Sequence, residues 1–281
     1  MHALRLQVDM PDDDAFWDFY WEVALEPMEN LGKREAVLSA SQLIRRLSSQ
    51  YSHPLRVLEL GCGEGQIVGT LMNSHAQLCD SKKVVGVQYK AQWLARCRGD
   101  YPGFQFVEGD FTDPVLLSSL GKYDIVLLVN ALHEVFSAEV SPDLGEVDVP
   151  AAKRRVEAAL TEIVRCLEPG GWVVLFDGLE PPGGPADQLH IRFCDAQAWK
   201  DFEVFAAQYQ PFRISYRDVE NGLCVELSRR DFTRYITKSI FLGKPLWLSE
   251  RFESYQYFNE DEFRTVFARQ NLEIKSLRTL T

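Results

Sequence analysis

One short segment constrains the fold of this chain more than any other. Residues 57–65 read VLELGCGEG. The first four residues are a mainly apolar run typical of a buried strand, and three glycines follow at alternate positions: Gly61, Gly63 and Gly65. A helical pattern begins at Gln66. Glycine lets the backbone turn tightly and approach a ligand closely, and a helix N-terminus offers free N–H groups. The segment therefore predicts a strand, a ligand-binding turn and a helix.

Apolar, β-rich runs alternate with helical patterns between residues 56 and 178. The predicted strands are 56–60, 84–88, 104–107, 125–129 and 172–176. Strands separated by helices favour βαβ units and a parallel sheet covered on both faces. We predict an α/β fold with a doubly wound, mainly parallel sheet and helices on both of its faces.

The pattern changes after this region. Three prolines and two glycines fall within residues 181–185, and a run from Leu189 to Phe205 has helical spacing. A hairpin is predicted at Asn221-Gly222, the strongest short hairpin signal. We therefore predict an α/β cap inserted after the fifth strand.

The C-terminal part of the chain is predicted to return to the sheet. Asn259 and Glu262 form a capping-box pattern that starts a helix, and residues 272–280 resemble a strand. The predicted domains are an N-terminal helical lid at 1–50, a sheet core at 51–180 and 256–281, and the cap at 181–255.

Charge and composition restrict the partners and the compartment. The 281 residues carry 30 Lys and Arg against 41 Asp and Glu, a net charge of −11, whereas duplex-binding domains are usually basic. No apolar run reaches the roughly 20 residues of a membrane helix, and no signal peptide is visible. The six cysteines form no C-x-x-C pair. We expect reduced thiols in a cytoplasmic protein, with no metal site, no nucleic acid partner and no membrane association.

Four ordered motifs carry a family resemblance. They are residues 59–65, EGDF at 108–111, NALHEV at 130–135 and LEPGG at 167–171. In this order they resemble the class I S-adenosylmethionine-dependent methyltransferases, and the resemblance recurs at about 257–280. It implies a Rossmann-like sheet, S-adenosyl-L-methionine as cofactor and S-adenosyl-L-homocysteine as product.

The resemblance also implies which residues hold the cofactor. The glycine loop would receive the methionine end, and Asp110 would accept a hydrogen bond from the adenine amino group. The implied cofactor-binding residues are Glu59, Gly61, Cys62, Gly63, Gly65, Gln88, Tyr89, Asp110, Phe111, Asn130 and Ala131. Gln88 departs from the family, which usually has Asp or Glu there to bind both ribose hydroxyls. A neutral amide can bond one or both hydroxyls, but without charge-assisted strength.

Methyl transfer requires few catalytic side chains. The reaction is an in-line displacement that needs alignment and exclusion of water, and it needs a base only when the acceptor starts protonated. His133 is the candidate base because imidazole titrates near neutral pH, and Glu134 is the second catalytic candidate. A structural role for His133, in capping a turn or packing under the cofactor, is the alternative. Methylation at O, N or C stays open.

Large aromatic side chains concentrate in the two segments outside the sheet core. The candidate acceptor-binding residues are Trp17, Trp21, Trp247, Tyr255 and Tyr257. They either stack on a small apolar or aromatic acceptor or fill the core of the cap. We expect the acceptor to enter between the N-terminal helix and residues 181–258, with segments 137–150 and 181–185 as lids or hinges. We expect a monomer or a homodimer.

Two other functions compete with methyl transfer. An NAD-dependent oxidoreductase would want glycine at residue 66 and a carboxylate at the ribose, where this chain has Gln66 and Gln88. A non-catalytic cofactor-binding or scaffold protein would have kept the fold and lost turnover, and the intact glycine loop weighs against it.

Overall fold

The computed structural model describes residues 31–141, 143 and 145–279. They form two compact units whose segments alternate along the chain. The sheet unit contains residues 31–132, Glu157–Asp177 and 274–279. The cap unit contains His133–Val156 and Gly178–Glu273, apart from the undescribed residues 142 and 144. Residues 133–156 and 256–273 thus group with the cap unit, and not with the sheet core as the sequence predicts.

The sheet unit is built on five parallel strands. They are β1 (Leu55–Leu60), β2 (Cys79–Gln88), β3 (Gln105–Glu108), β4 (Tyr123–Val129) and β5 (Leu167–Phe176). Their order is β3-β2-β1-β4-β5, and Val57 of β1 pairs with Val84 on one side and Ile125 on the other. All seven residues of β4 are buried, as expected for a parallel sheet with both faces covered. The predicted strands and the parallel α/β sheet are confirmed.

Helices flank this sheet. They are α1 (Leu31–Ser48), α2 (Gln66–His75), α3 (Ala91–Asp100) and α4 (Pro114–Leu120), and the chain continues through α5 (Leu132–Ser137) and α6 (Val149–Arg165). No helix is predicted from the sequence at α4. Its start is nevertheless encoded locally, because the Asp113 side chain accepts a hydrogen bond from the Val115 N–H and Pro114 occupies the first helical turn.

The cap unit has its own small sheet and helices. Its remaining elements are β6 (Gln188–Arg192), α7 (Ala196–Gln208), β7 (Tyr216–Asp218), β8 (Cys224–Ser228), α8 (Arg229–Lys238), α9 (Trp247–Glu250) and α10 (Glu260–Arg269). The antiparallel order is β6-β8-β7. The predicted hairpin is confirmed, with Asn221 and Gly222 both at positive φ between β7 and β8. It belongs to this separate sheet and adds no strand to the parallel one.

Two elements differ from their predictions. The helix predicted from Leu189 begins at Ala196, after the N-cap Asp195, and residues 188–192 form β6 because they pair along β8. The strand predicted at 272–280 is absent from residues 272–279, where the backbone makes no ladder with the sheet. Alternation of apolar and polar residues does not produce a strand without a partner edge. The predicted capping box is confirmed, because Asn259 and Glu262 exchange both hydrogen bonds.

Candidate functional site

The glycine turn joins β1 to α2 as predicted. The N–H groups of Gly61 and Cys62 both lie 3.0 Å from the Val87 carbonyl oxygen, which ties the turn to β2. Gly61, Gly63 and Gly65 have φ values of +74°, +54° and +79°, a region that favours glycine. Gly65 is also the N-cap of α2, so the turn passes directly into a helix N-terminus. The backbone is therefore shaped to present N–H groups to a ligand.

Glu59 stabilises this turn from within the protein. Its side chain is buried, and its Oε2 accepts a hydrogen bond of 3.0 Å from the Val68 N–H in the first turn of α2. Burial raises the pKa of Glu59 from 4.5 to about 8, against the opposing effects of the Val68 hydrogen bond and the charge of Lys33. The described contact of this predicted cofactor residue is thus with the backbone that forms the loop.

Cys62 also faces the protein interior. Its side chain is buried, and a hydrogen bond with Cys97, together with burial, holds the pKa of its thiol well above the usual range. Cys97 in turn donates from Sγ to the Gly63 carbonyl oxygen at 3.3 Å. A cofactor at the turn would therefore contact the backbone of Cys62, because its thiol is buried and bonded to Cys97.

The ends of β2 and β3 carry the candidate ribose and adenine contacts. The Oε1 of Gln88 accepts hydrogen bonds from the Tyr89 N–H at 2.7 Å and the Lys90 N–H at 3.3 Å. The amide nitrogen of Gln88 is then the group that can donate to a ribose hydroxyl oxygen. Tyr89 follows it with 41% of its surface exposed and its ring 6.3 Å from that of Trp93.

Asp110 lies just beyond β3, and one of its carboxylate oxygens accepts hydrogen bonds from a residue close by in the chain. Its Oδ1 accepts from both the N–H and the hydroxyl of Thr112, each at 2.8 Å. This fixes the side chain and leaves Oδ2 as the oxygen suited to an amino-group donor.

The end of β4 lies against the glycine turn. Asn130 has a φ of +53°, and its N–H donates to the Phe176 carbonyl oxygen at 2.8 Å. A Cβ built on Gly61 would stand 3.0 Å from the Ala131 Cβ and 3.6 Å from the Phe111 ring. Three predicted cofactor residues, from the ends of β1, β3 and β4, are thus brought together at one edge of the sheet, where α/β proteins bind ligands.

The two catalytic candidates belong to α5. His133 is buried, with its Nε2 3.8 Å from the Glu253 Oε2 and its ring edge-on to Tyr255 at 4.6 Å between centroids. Glu134 is half-buried, and its carbonyl oxygen accepts from the Ala138 N–H. His133 therefore has a carboxylate neighbour that the sequence analysis did not identify.

A buried polar cluster, which we call the Lys238 cluster, surrounds this histidine. Its members are His133, Lys238, Glu250, Glu253 and Tyr255. The Lys238 Nζ lies 2.5 Å from the Glu250 Oε2, 3.8 Å from the Glu253 Oε2 and 3.5 Å from the centroid of the Tyr255 ring. The Tyr255 hydroxyl donates to the Glu250 Oε2 at 2.8 Å. These residues come from α5, α8, α9 and the segment directly after α9, so only the three-residue spacing of Glu250 and Glu253 could have hinted at the cluster.

The remaining acceptor-binding candidates have mixed placements. Trp247 is buried in the apolar core of the cap unit, where its Nε1 donates to the Gln208 Oε1 at 2.6 Å. Tyr257 is buried among the rings of Phe136, Phe258 and Phe263. Trp17 and Trp21 lie outside the described residues.

A cavity of about 260 Å³ lies within the cap unit and has Tyr257 in its wall. Phe136 and Phe212 supply further aromatic surface. Its basic residues are paired: Arg230 with Glu180, Lys153 with Glu262, and Arg234 with Asp231. The cavity therefore combines aromatic walls with charges that are already balanced by the protein.

The described part of the chain contains no cluster of three His, Cys, Asp or Glu side chains arranged to hold a metal ion. Within the same residues, no helix has both the length and the apolar character needed to cross a membrane. The six cysteines are free thiols, and only Cys194 is exposed.

One family model matches a part of this chain. Residues 58–175 match the family model described as "Methyltransferase domain". This span contains the glycine turn and the C-terminal ends of β1, β2, β3 and β4. No curated protein matches the chain.

Several solved structures are similar to this chain at low identity and with TM-scores below 0.5. The plantazolicin methyltransferase BamL, in complex with a triazolic desmethylPZN analog and SAH, is 13% identical with a TM-score of 0.47, over 96% of this chain and 71% of BamL. CalS10, an amino pentose methyltransferase from Micromonospora echinaspora, is 22% identical with a TM-score of 0.37, over 62% and 61%. Streptomyces venezuelae DesVI is 18% identical with a TM-score of 0.39, over 64% of each chain. Likenesses this low bear on neither substrate nor mechanism.

Proposed function

We propose that this chain is a class I S-adenosylmethionine-dependent methyltransferase, with its methyltransferase domain at residues 58–175, and that it methylates a small-molecule acceptor. S-adenosylmethionine is its cofactor. The observation that carries the proposal is the turn between β1 and α2, where three glycines at positive φ lead directly into a helix N-terminus.

The residues at the strand ends fit this cofactor. The turn at Gly61, Gly63 and Gly65 would receive its amino-acid end through backbone N–H groups. Gln88 would bond the ribose through its amide nitrogen, and Asp110 would accept from the adenine amino group through Oδ2. When bound, the cofactor supplies a methyl group on a sulfonium sulfur. The protein's part is to hold the acceptor in line with that group and to exclude water.

The acceptor is proposed to be small, with apolar or aromatic character. The cavity of about 260 Å³ in the cap unit supports this size, and the rings of Phe136, Phe212 and Tyr257 support this chemistry. Its ion pairs argue against a strongly charged acceptor, because the basic side chains already have carboxylate partners. Of the aromatic candidates, Tyr255 and Tyr257 keep a proposed acceptor role, whereas Trp247 is proposed to support the cap core.

His133 is proposed to accept a proton from the acceptor when the acceptor carries one. Its carboxylate neighbour, Glu253, is the kind of partner that assists a histidine base. Glu134, next to it on α5, is proposed to contribute to the same site. We also propose that the protein works in the cytoplasm, where free thiols persist, and that it is a monomer or a homodimer.

Calorimetry tests the cofactor half of this proposal. The chain should bind S-adenosylmethionine and S-adenosylhomocysteine, and it should show no heat of binding with NADH. Saturable binding of NADH with none of S-adenosylmethionine would favour an oxidoreductase instead.

A transfer assay tests the catalytic half. S-adenosylmethionine with a labelled methyl group, incubated with pools of small hydroxyl, amine and aromatic compounds, should give a labelled product. Cofactor binding without transfer to any pool, by protein that retains its fold, would support a non-catalytic binding protein.

A further inference from the structure

Gln256 is a buried residue in the wall of the cap-unit cavity. It is only 2% exposed, and it lines the cavity together with the aromatic residues Phe136, Phe212 and Tyr257. A carboxamide has two N–H donors and an acceptor oxygen, and buried polar atoms are normally hydrogen-bonded. The bonds that this carboxamide makes, and the one that it lacks, therefore indicate what the cavity can receive.

Thr237 fixes the orientation of this carboxamide. The Thr237 hydroxyl donates to the carbonyl oxygens of Thr233 at 2.9 Å and Arg234 at 3.1 Å. Its single hydrogen is thereby used, so its oxygen accepts from the Gln256 Nε2, which lies 3.3 Å away. The carboxamide cannot be turned around, because its oxygen would then face a hydroxyl that has no hydrogen left to donate.

The Oε1 of Gln256 is left without a donor by this arrangement. Within the part of the chain that the structure describes it has no hydrogen-bond partner, and it is closed off from bulk water. A buried acceptor without a donor lowers the stability of the protein, so such an atom is usually completed by a water molecule or a ligand. A ligand in the cavity that carries an O–H or N–H group would supply the missing donor.

Arg234, a second wall residue, lacks the complementary partner. It is 6% exposed, its Nη1 lies 3.0 Å from the Asp231 Oδ1, and its guanidinium carbon lies 3.6 Å from the centroid of the Phe212 ring. Its charge is therefore balanced, but its Nε has no acceptor among the described residues. The wall thus holds one acceptor without a donor and one donor without an acceptor. A hydroxyl group both donates and accepts, and it does so without a charge.

We propose that Gln256 is a specificity-determining residue, which selects a neutral aromatic acceptor that carries a hydroxyl group and donates it to the Gln256 Oε1. This inference rests on the proposed function, because it assigns the cavity to the methyl acceptor. The rings of Phe136, Phe212 and Tyr257 contact the apolar part of such a molecule. A molecule of the same shape without the hydroxyl leaves the Oε1 without a donor, so it is discriminated against.

Two small probes test the inference without a known substrate. p-Cresol and p-xylene differ only by a hydroxyl in place of a methyl group, and ligand-detected nuclear magnetic resonance measures their affinities for the full chain. Aromatic walls alone favour p-xylene, because moving a hydroxyl out of water without a partner is unfavourable. The wild-type protein should instead bind p-cresol more tightly. In Gln256→Met, which has a similar length and no hydrogen-bonding amide, the preference for p-cresol should fall by about tenfold.

Gln210→Met is the matched control. Gln210 is an exposed glutamine of the cap unit that does not line the cavity, so this variant should keep the wild-type ratio of the two affinities. The inference is overturned if the wild-type protein binds p-xylene at least as tightly as p-cresol, if it binds neither probe, or if Gln256→Met keeps the wild-type ratio. If Gln256→Met does not fold, the wild-type ratio decides alone.

Calorimetry on the same samples separates this inference from the proposed function. Normal S-adenosylmethionine binding without a preference for p-cresol would overturn only the role of Gln256. A preference for p-cresol that depends on Gln256, in a protein that does not bind S-adenosylmethionine, would instead overturn the proposed function and with it the identification of the cavity ligand as a methyl acceptor.

Discussion

The carboxyl group of Glu59 accepts a hydrogen bond of 3.0 Å from the Val68 N–H, and this bond joins the two ends of the glycine turn. The last part of β1 is thereby joined to the first turn of α2, and the loop between them is held at both ends. The hydrogen bonds from Gly61 and Cys62 to Val87 hold its middle. A loop fixed in this way has little entropy to lose when a ligand binds, so its N–H groups are preorganised.

The first prediction concerns the pH dependence of stability. The folded pKa of Glu59, about 8, lies above its ordinary value of 4.5, so the folded state binds this proton more tightly. The Glu59 contribution to stability should therefore be lost as pH rises from about 4.5 to about 8, by at most about 5 kcal/mol. Glu59→Gln keeps an oxygen for Val68 and cannot ionise. Urea unfolding across this pH range should show a smaller decline in the variant than in the wild type.

Glu108→Gln, in the same unit but exposed, is the matched control for that series and should keep the wild-type pH profile. Parallel profiles for the wild type and Glu59→Gln would contradict the assignment of a raised pKa to Glu59.

The second prediction concerns the glycine turn. Gly63→Val places a β-branched side chain at φ +54°, in a region such residues rarely adopt, and puts bulk into the loop that faces the cofactor. S-adenosylmethionine should bind at least about 100-fold more weakly, a loss of about 2.8 kcal/mol, as measured by calorimetry. Gly99→Ala, at a helical position with nothing within 4 Å, should bind normally. Equal affinities in the two variants would remove the turn from the cofactor site.

The third prediction concerns the departure at Gln88. Gln88→Glu has the same length and keeps an oxygen for the Tyr89 and Lys90 N–H groups. Its charge should strengthen the bonds from the ribose hydroxyls, and cofactor affinity should rise by about three- to tenfold. Gln88→Met, without a polar group, should weaken binding. Weaker binding in Gln88→Glu than in Gln88→Met would mean that Gln88 faces something other than ribose hydroxyls.

The fourth prediction is that methyl transfer does not depend on a metal ion. The described residues hold no ligand set for a hard cation, which requires several oxygen donors. Dialysis against a chelator should leave turnover with an identified acceptor unchanged. Activity that is lost on chelation and restored by magnesium would contradict this expectation.

The fifth prediction separates two roles for Trp247. Its hydrogen bond to Gln208 and its burial in the cap core predict that Trp247→Phe lowers the free energy of unfolding by about 1–2 kcal/mol. Cofactor affinity should not change. Leu248→Ala, at the exposed neighbouring position, should have little effect on stability. If Trp247→Phe has wild-type stability but impaired methyl transfer, Trp247 contacts the acceptor and does not mainly support the cap core.

The sheet and the glycine turn are predictable because their signals are local. β1 and β4 are short apolar runs, and the turn between β1 and α2 is set by glycine. The strand β6 is not predictable in this way, because Leu189 and Phe193 also fit helical spacing. Only its pairing with β8 makes this segment a strand. The candidate base was found from its place after β4, but its neighbour Glu253 follows it by 120 positions along the chain. Partners that meet only through tertiary structure leave no local pattern.

The alternation of the two units along the chain has a consequence for synthesis and for evolution. The polypeptide leaves the sheet unit after Leu132, re-enters it within α6 at Glu157, and leaves again after Asp177. A ribosome therefore delivers β5, an edge strand of the sheet, only after residues 133–156 of the cap unit have emerged. A single crossover between genes cannot exchange the cap unit, because its described segments, 133–156 and 178–273, are separated by β5. New acceptor specificities would then arise by point substitution inside the cap unit sooner than by replacement of the whole.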